Sequence, residues 1–297
     1  MLSMNSRTVR KRILIIHNPA AGRGMETRLG AVERILKVHN CDVTLLASAS
    51  PAHLTSLFRD VEVSDWDVVA IAGGDGTLME AINVLAHDSP VLALIATGTA
   101  NVVALDLGLV VEADALADVI LSGRTGLLCA AQVNNRLFAF TAGVGFDAAI
   151  VDRVSPSVKK TAGKLAFVLA AIGTLLAYRY PVYKMRVDNI EFSGIGVIVV
   201  NGRYYAGKHV VAPDNDLGSG CLCALILHKP GRIAALNYLL AMAFDRLHTC
   251  ADVTFLQNIR SIDIEGEAIT PVQVDGEIAC HLPARITADA KRFDILI

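Results

Sequence analysis

The chain has 297 residues, of which 53% are hydrophobic and 19% charged, with a formal net charge of −2. This length suits two domains of ordinary size. The near-neutral charge excludes a partner held by bulk attraction to a polyanion, so we expect no nucleic-acid partner. No run reaches the ~18 consecutive apolar residues that a membrane span needs.

The cysteines and the N-terminus bear on the compartment. Six cysteines are scattered along the chain, and Cys221 and Cys223 form a C-x-C without a second pair, which is typical of core thiols in a reducing compartment. The basic N-terminal stretch runs directly into a strand pattern and lacks the apolar segment and cleavage site of a signal peptide. We therefore expect a cytoplasmic protein, with a peripheral position at the inner face of the membrane as a further option.

The first predicted strand, Arg12–His17, ends in a loop that contains several small or polar residues. Asn and Pro favour a turn there, and the loop arginine could reach a phosphate; the residues are Asn18, Pro19, Gly22 and Arg23. A helix over residues 26–38 and a strand over residues 42–46 follow. The next helix begins near Pro51, with either Ser48 or Ser50 as its N-cap.

The stretch from Asp67 to Asn83 is the strongest signal in the chain. A buried strand pattern (Val68–Ala72) ends in Gly73-Gly74-Asp75-Gly76-Thr77, and a helical pattern follows at once. A glycine loop between a strand and a helix N-terminus presents backbone N–H groups to an anion such as phosphate. A carboxylate beside phosphate is repulsive unless a cation lies between them, so Asp75 predicts Mg²⁺.

A second glycine loop follows the strand predicted over residues 91–95. Its residues include Gly98, Thr99 and Asn101, and a helix is predicted from Val102 to Leu107. Three loops at the carboxyl ends of strands that alternate with helices indicate a doubly wound parallel sheet, an α/β domain with a ligand crevice along that edge.

Beyond residue 126 the pattern is mainly strands, with two predicted helices near 163–178 and 231–247. We therefore predict an α/β nucleotide-binding domain over residues 1–126 and a mostly antiparallel β-sandwich domain over residues 127–291. A return of the last strand (292–297) to the first domain stays open. Gly202–Lys208 matches a phosphate-loop pattern, but no helix pattern follows it, so we do not expect a phosphate site there.

A hairpin is predicted near the C-terminus, where Val272–Ile278 alternates apolar and polar residues around Asp275-Gly276. Asp-Gly is a common two-residue hairpin turn. A hairpin tip can also project a carboxylate, here Glu277, towards a substrate.

Taken in order, these motifs resemble the diacylglycerol kinase catalytic-domain family of lipid kinases, which includes sphingosine and ceramide kinases and bacterial YegS-like relatives. The resemblance spans nearly the whole chain, and the matching residues are Asn18-Pro19 with Gly22, Gly73–Thr77 with Glu80 and Asn83, Gly98-Thr99 with Asn101, Gly145–Ala148, Gly163–Leu165, Asn201-Gly202 with Tyr205 and Gly207, Ala212-Pro213, and Asp275–Glu277.

The resemblance implies a kinase that transfers the γ-phosphate of ATP to a lipid hydroxyl in phospholipid metabolism. Asp75 would bind Mg²⁺ and Glu277 would accept the hydroxyl proton, with Asp147 or Asp106 as the next candidate bases. The implied ATP-binding residues are Asn18, Pro19, Gly22, Arg23, Gly73, Gly74, Gly76, Thr77, Glu80, Gly98, Thr99 and Asn101. The acceptor would be a diacylglycerol or a sphingoid-type alcohol, bound between the domains with its tail along the β domain.

Two positions depart from the family pattern. Val102 stands where many members have an acid, and Ser219 stands where members often have an aspartate that helps hold a structural Mg²⁺. Two alternatives stay open. One is a soluble kinase that shares the Gly73–Thr77 loop, such as an NAD kinase, and the other is a nucleotide-binding regulator with impaired catalysis, which Val102 and Ser219 suggest.

Two expectations concern partners. Arg153, Lys159, Lys160 and Lys164 precede an apolar helix, and basic residues in that position can bind an anionic membrane surface peripherally. The alternative is a solvated loop before a core helix. The oligomeric state stays open, with a homodimer as one option.

Overall fold

The computed structural model describes residues 10–19, 25–85, 90–98, 100–109, 111–154 and 164–297. The chain divides into two compact units. The first comprises Met1–Leu127 and Phe293–Ile297, and the second comprises Leu128–Arg292.

The first unit is a parallel sheet with helices, as the alternating sequence pattern predicts. The strand order is β2-β1-β3-β4, and each neighbouring pair is parallel. Every residue of β3 is buried, as expected for a central strand of a parallel sheet. The elements are β1 (Arg12–His17), α1 (Met25–Val38), β2 (Asp42–Ala47), α2 (Pro51–Asp60), β3 (Val68–Gly73), α3 (Asp75–Val84), β4 (Val91–Ala96), α4 (Val102–Asp106) and α5 (Ala113–Ser122), with a 3₁₀ turn at Val63–Asp65.

Two details of this unit go beyond the sequence patterns. Ser50 is the N-cap of α2, because its hydroxyl accepts a hydrogen bond from the His53 N–H at 3.2 Å. Ser48 instead donates to the Ser50 carbonyl at 3.1 Å. Helix α5 is an additional element, and its buried residues Leu116, Ala117 and Ile120 belong to the same core cluster as residues of β1 and α1.

The second unit is mainly antiparallel, which confirms the predicted fold class. Six strands form one sheet in the order β14-β13-β10-β7-β16-β17, and a second set is ordered β18-β15-β8-β9, with β5 and β6 beside β18. The elements are β5 (Thr125–Val133), β6 (Arg136–Phe138), β7 (Thr141–Val144), α6 (Phe146–Arg153), α7 (Lys164–Ala177), β8 (Tyr183–Val187), β9 (Ile190–Gly194), β10 (Gly196–Val200), β11 (Tyr204–Tyr205), β12 (His209–Val210), β13 (Leu222–Leu227), α8 (Arg232–Ala243), β14 (Val253–Ile259), β15 (Ser261–Glu265), β16 (Pro271–Val274), β17 (Glu277–His281) and β18 (Ala284–Leu296), with a 3₁₀ turn at Leu247–Thr249.

Two strand predictions need correction. The single strand expected over residues 137–142 is divided into β6 and β7, because the carboxylate of Asp275 binds the backbone N–H groups of Ala139, Phe140 and Thr141 between them. The final strand is longer than predicted: β18 has 13 residues, and Ile295 near its end pairs with Leu92 of β4.

Two further observations concern the Gly202–Lys208 pattern and the described helices. Residues 204–205 and 209–210 form a small antiparallel hairpin rather than a phosphate loop before a helix. Among the helices in the described ranges, none combines the length and the apolar character that crossing a bilayer requires.

Candidate active site

The loops at the carboxyl ends of β1, β3 and β4 are linked by backbone hydrogen bonds. The N–H of Asn18 donates to the Ala72 carbonyl at 3.3 Å, and the N–H of Thr97 donates to the Gly73 carbonyl at 2.9 Å. Each loop therefore begins beside the end of the neighbouring strand. The parallel register places the first residues of all three loops along one edge of the sheet.

The two glycine loops approach each other at Gly74 and Gly98. A Cβ atom on Gly98 would lie 2.6 Å from the Cα of Gly74 and 2.8 Å from Oδ1 of Asn101. A Cβ on Gly73 would lie 2.7 Å from the side chain of Thr77. These three glycines therefore let the loops pack closely, whichever ligand the edge binds. Gly76 differs, because a Cβ there would have no atom within 4 Å.

Asp75 begins α3 and is half-buried, with its carboxylate directed at the start of α4. Its Oδ1 accepts a hydrogen bond from the Val103 N–H at 3.3 Å. Burial raises the pKa of Asp75 above its usual range, and hydrogen bonds from backbone N–H groups of residues 101–103 partly offset that effect. The carboxylate thus stabilises the N-terminus of α4, a structural role that the motif alone did not reveal.

Several polar atoms at this edge are buried without a hydrogen-bond partner in the part of the chain that the structure describes. They are Nδ1 of His17, Oγ1 of Thr97 and Oδ1 of Asn101. Because burying an unpaired polar atom costs ~1–3 kcal/mol, such atoms in neighbouring loops favour a polar ligand. The N-cap of α3 is Gly74, which has no side chain to accept a hydrogen bond from the first N–H groups of the helix.

The structure brings together Gly73, Gly74, Asp75, Gly98 and Asn101 of the predicted nucleotide-binding residues. Others lie on the same loops or helix: Asn18 and Pro19 follow β1, while Gly76, Thr77 and Glu80 are in the first part of α3. Three more predicted residues, Gly22, Arg23 and Thr99, lie outside the described residues.

Arg28 was not identified from the sequence as a residue of this edge. It lies on α1, and its guanidinium donates to the carbonyl of Ala96, the last residue of β4, at 2.7 Å. His17 and Thr97 were missed as well. The available signal was their position immediately before or after the three loops, at the ends of β1 and β4.

Glu277 belongs to the second unit, where a tight hairpin holds it. Asp275 and Gly276 both have positive φ (49° and 79°), which a type I′ turn requires. The Glu277 side chain is 60% exposed, and its Oε2 accepts a hydrogen bond from the Arg136 guanidinium at 2.9 Å. The turn predicted from Asp-Gly is confirmed, and Arg136 is an additional partner of the carboxylate.

A buried network of hydrogen bonds connects this hairpin to Asp147. Gln273 donates from Nε2 to Oδ2 of Asp147 at 2.8 Å, while its Oε1 accepts from the Gly276 N–H at 3.0 Å. The Tyr205 hydroxyl donates to Oδ1 of Asp147. Burial raises the pKa of Asp147 to about 7, partly offset by the Gln273 hydrogen bond. Gly143 makes room for this carboxylate, because a Cβ there would lie 1.9 Å from Oδ2.

Asp147 and Tyr205 also line an otherwise largely apolar cavity of about 50 Å³ in the second unit. Most of its wall comes from α6, α8 and the strands β10 and β13, with Phe146, Ile198 and Leu227 among the apolar residues. The titratable side chains of this mainly apolar wall are Asp147, Tyr180, Tyr205 and Tyr238, and polar groups of this kind can orient a ligand in a pocket.

Ser219 does not replace the family's metal-binding aspartate as a free hydroxyl. Its Oγ donates to the Asp216 carbonyl at 2.9 Å and accepts from the Cys221 N–H at 3.2 Å. Arg260 donates to the adjacent Gly220 carbonyl at 2.7 Å. The Ser219 hydroxyl and the Gly220 carbonyl are therefore engaged in hydrogen bonds with protein groups.

Comparison with known proteins finds family models that match both units of the chain. The model of the diacylglycerol kinase catalytic domain matches residues 12–133, and that of the YegS C-terminal NAD kinase beta sandwich-like domain matches residues 141–297. A diacylglycerol kinase of Mycobacterium tuberculosis is 25% identical over 296 residues, covering 96% of this chain and 94% of the relative. One from Staphylococcus epidermidis is 27% identical over 283 residues, covering 93% and 89%.

Solved structures show the same fold. The crystal structure of a diacylglycerol kinase from Bacillus anthracis aligns with a TM-score of 0.76 at 24% identity, covering 98% of both chains. At this identity the likeness concerns the fold. The family models, which account for both units, show that the chain belongs to the diacylglycerol kinase catalytic-domain family, with the YegS-type C-terminal domain.

Proposed function

We propose that the protein is an ATP- and Mg²⁺-dependent lipid kinase that transfers the γ-phosphate to a lipid hydroxyl. The observation that carries this proposal is the carboxyl edge of the first unit. There, buried atoms of Thr97 and Asn101 that have no partner among the described residues lie beside the glycine loop that precedes α3. These polar atoms and the N-terminal N–H groups of a helix fit the phosphates and sugar of a nucleotide.

Asp75 is the residue that would hold the metal. The described residues contain no group of three side chains that could bind a cation by themselves. Mg²⁺ commonly takes one or two carboxylates, with phosphate oxygens and water completing its six ligands, so Asp75 suits a metal that arrives with ATP. When bound, the metal neutralises charge on the phosphates that develops during transfer. A dication would also offset the cost of burying the Asp75 carboxylate.

Glu277 would accept the proton of the attacking hydroxyl. Its exposure gives a substrate access, and the tight turn together with the Arg136 hydrogen bond holds the carboxylate in one orientation. Gln273 adds to this by binding the Gly276 N–H. A general base gains from such fixed placement because its oxygen must lie within hydrogen-bond reach of the proton.

The acceptor we propose is a diacylglycerol or a sphingoid-type alcohol. The cavity that Asp147 and Tyr205 line supports an amphipathic ligand, because it joins a mainly apolar wall to a carboxyl group and to tyrosine hydroxyls. Its volume of about 50 Å³ is far below that of an acyl chain, so binding a lipid tail there would require the cavity to widen.

A second candidate is a soluble kinase that phosphorylates NAD. The description of the second unit's family model, NAD kinase beta sandwich-like, favours it. NAD kinases carry an Asn-Glu pair soon after the glycine loop, and this chain has none before residue 126.

Turnover of radiolabelled ATP with a panel of acceptors tests the proposal. The panel contains diacylglycerol, sphingosine, ceramide and NAD, each with and without Mg²⁺. We expect label in one of the lipids, dependent on Mg²⁺. Label in NAD would support the soluble kinase, and ATP binding without transfer to any acceptor would support a regulator.

A further inference from the structure

Two neighbouring helices of the second unit expose apolar side chains in regular rows. On α7 these are Leu169, Ile172 and Leu176, which are 54–61% exposed. On α8 and its C-cap they are Ile233, Leu236, Leu240 and Phe244, which are 45–80% exposed. Spacings of three and four residues place each row on one face of its helix. We call these seven residues the apolar helix surface.

The two rows belong to one surface because the helices are tied together. The Arg232 guanidinium, at the start of α8, donates to the carbonyl of Leu176, near the end of α7, at 2.7 Å. Single exposed apolar residues are ordinary, whereas a contiguous group of this size marks an interaction site.

The charges around this surface have one predominant sign. The 14 residues of α7 and the 12 residues of α8 contain Lys164 and Arg232 and no acidic residue. Exposed Arg153, Arg179 and Arg246 flank the helices, and a Cβ on Gly173 of α7 would lie 3.2 Å from Nη1 of Arg153. The acids beside them are Asp152 and Asp245, and Asp245 accepts the Val210 N–H at 2.8 Å.

We propose that the apolar helix surface docks on an anionic lipid bilayer. Apolar side chains on a helix face enter the acyl boundary while flanking cations contact anionic headgroups. A second copy of the chain fits less well, because a two-fold interface sets each patch against itself and would bring like cations together. The lysines that the sequence suggested for this role, Lys159 and Lys160, lie outside the described residues, and the side chain of Lys164 is not described either.

The opposite face of α8 connects this surface to the cavity. Ala235, Tyr238, Leu239 and Met242 of α8 line the cavity that also contains Asp147. One helix therefore separates the proposed bilayer contact from the proposed lipid pocket. The choice of a bilayer rests on the proposed lipid kinase function, and docking would place α8 where a lipid leaves the membrane.

Vesicle co-sedimentation of the full chain, without ATP, tests the proposal. The vesicles are phosphatidylcholine with or without phosphatidylglycerol. The test variant combines Ile233→Glu with Leu240→Glu, and the matched control combines Ile190→Glu with Ile269→Glu, which are 63% and 78% exposed elsewhere in the same unit. We expect the wild type and the control to bind anionic vesicles, and the α8 variant to bind at least about tenfold more weakly. Arg179→Glu should weaken binding to anionic vesicles by about fivefold or more, since each cation near the membrane surface contributes ~1 kcal/mol.

Phe244→Trp provides a second readout that does not depend on the charged variants. Its fluorescence should shift to shorter wavelength when anionic vesicles are added, whereas the wild type, whose single tryptophan is Trp66 in the first unit, should not change. Absence of vesicle binding by the wild type, or equal binding by the α8 variant and the control, would overturn the proposal. So would a dimer that the α8 variant converts to a monomer without loss of vesicle binding.

Turnover separates this inference from the proposed function. With a short-chain diacylglycerol dissolved in water, the α8 variant should match the control, and with long-chain diacylglycerol in vesicles it should be slower. If no lipid is phosphorylated by any form of the protein, the proposed function fails while sedimentation still decides whether the surface docks.

Discussion

Replacing Asp275 should destabilise the second unit strongly, because this side chain organises the chain between β6 and β7. Its carboxylate accepts hydrogen bonds from the N–H groups of Ala139, Phe140 and Thr141 at 3.2, 3.1 and 2.9 Å. Hydrogen bonds to a charged group contribute ~1.5–3 kcal/mol each. Water can replace part of that loss at a half-buried site, so we expect Asp275→Ala to lower the free energy of unfolding by ~3–5 kcal/mol.

The matched variant is Asp275→Asn, which keeps one acceptor oxygen and tolerates the left-handed backbone conformation at φ 49°. Asp275→Asn should lower the free energy of unfolding by roughly half as much, ~1.5–2.5 kcal/mol. Glu277→Ala is the control at the same hairpin, since an exposed ion pair contributes at most ~1 kcal/mol. Urea denaturation followed by far-ultraviolet circular dichroism measures all three. A loss below ~1 kcal/mol for Asp275→Ala would refute the reasoning.

Three further predictions concern the carboxyl edge of the first unit and the buried carboxylate of the second. Asp75→Asn should lower kcat by ~10²-fold or more, while its thermal unfolding temperature stays near that of the wild type. If the variant kept more than about a tenth of wild-type turnover, Asp75 would have no part in the mechanism. Gly98→Ala should destabilise by ~1–3 kcal/mol through its clash with Gly74, whereas Gly76→Ala should fold normally and weaken ATP binding in calorimetry; equal effects on stability would contradict the packing found here. Burial raises the pKa of Asp147 to about 7. Between about pH 4 and pH 7 the folded state therefore keeps a proton that the unfolded state has already released. Stability from this group is therefore greatest below about pH 4 and is lost as pH rises to about 7, by at most ~1.4 kcal/mol per pH unit; Asp147→Asn should remove that part of the slope in denaturation curves.

Much of the fold followed from the sequence because its signals are local. The β-branched run before Gly73 marks a central strand, and Asp275-Gly276 fixes a hairpin through backbone conformations that few residues adopt. Helix α6 was missed because Gly145–Ala148 was interpreted only as a motif. The division of β6 from β7 depends on a contact with Asp275, which lies more than 130 residues later and leaves no local pattern.

The candidate site was predictable in its loops and less so in its partners. The glycines were found, but the sequence did not show that Gly74 and Gly98 pack against each other. Nor did it show that Asp75 binds the start of α4, or that Arg28 reaches the end of β4. Gln273 was likewise seen only as one residue of an alternating strand. Each of these roles depends on which side chains meet in three dimensions, and that information is absent from spacing along the chain.

The central claim is that Glu277 accepts a proton during phosphoryl transfer, and Glu277→Gln tests it directly. The amide keeps the shape of the side chain and can still accept the Arg136 hydrogen bond, but it cannot take up a proton. We measure kcat at saturating lipid together with the KM for ATP, using Arg136→Gln as a control that keeps the carboxylate.

A positioned general base contributes ~10²–10⁴-fold, so kcat of Glu277→Gln should fall by about that factor while the KM for ATP stays within about twofold. Arg136→Gln keeps the carboxylate and removes one contact that orients it, so it should lower kcat by much less than Glu277→Gln does. If kcat and ATP binding collapsed together, Glu277 would have a structural role instead. A kcat of Glu277→Gln close to that of the wild type would contradict the account and transfer the search for a base to Asp147 or Asp106.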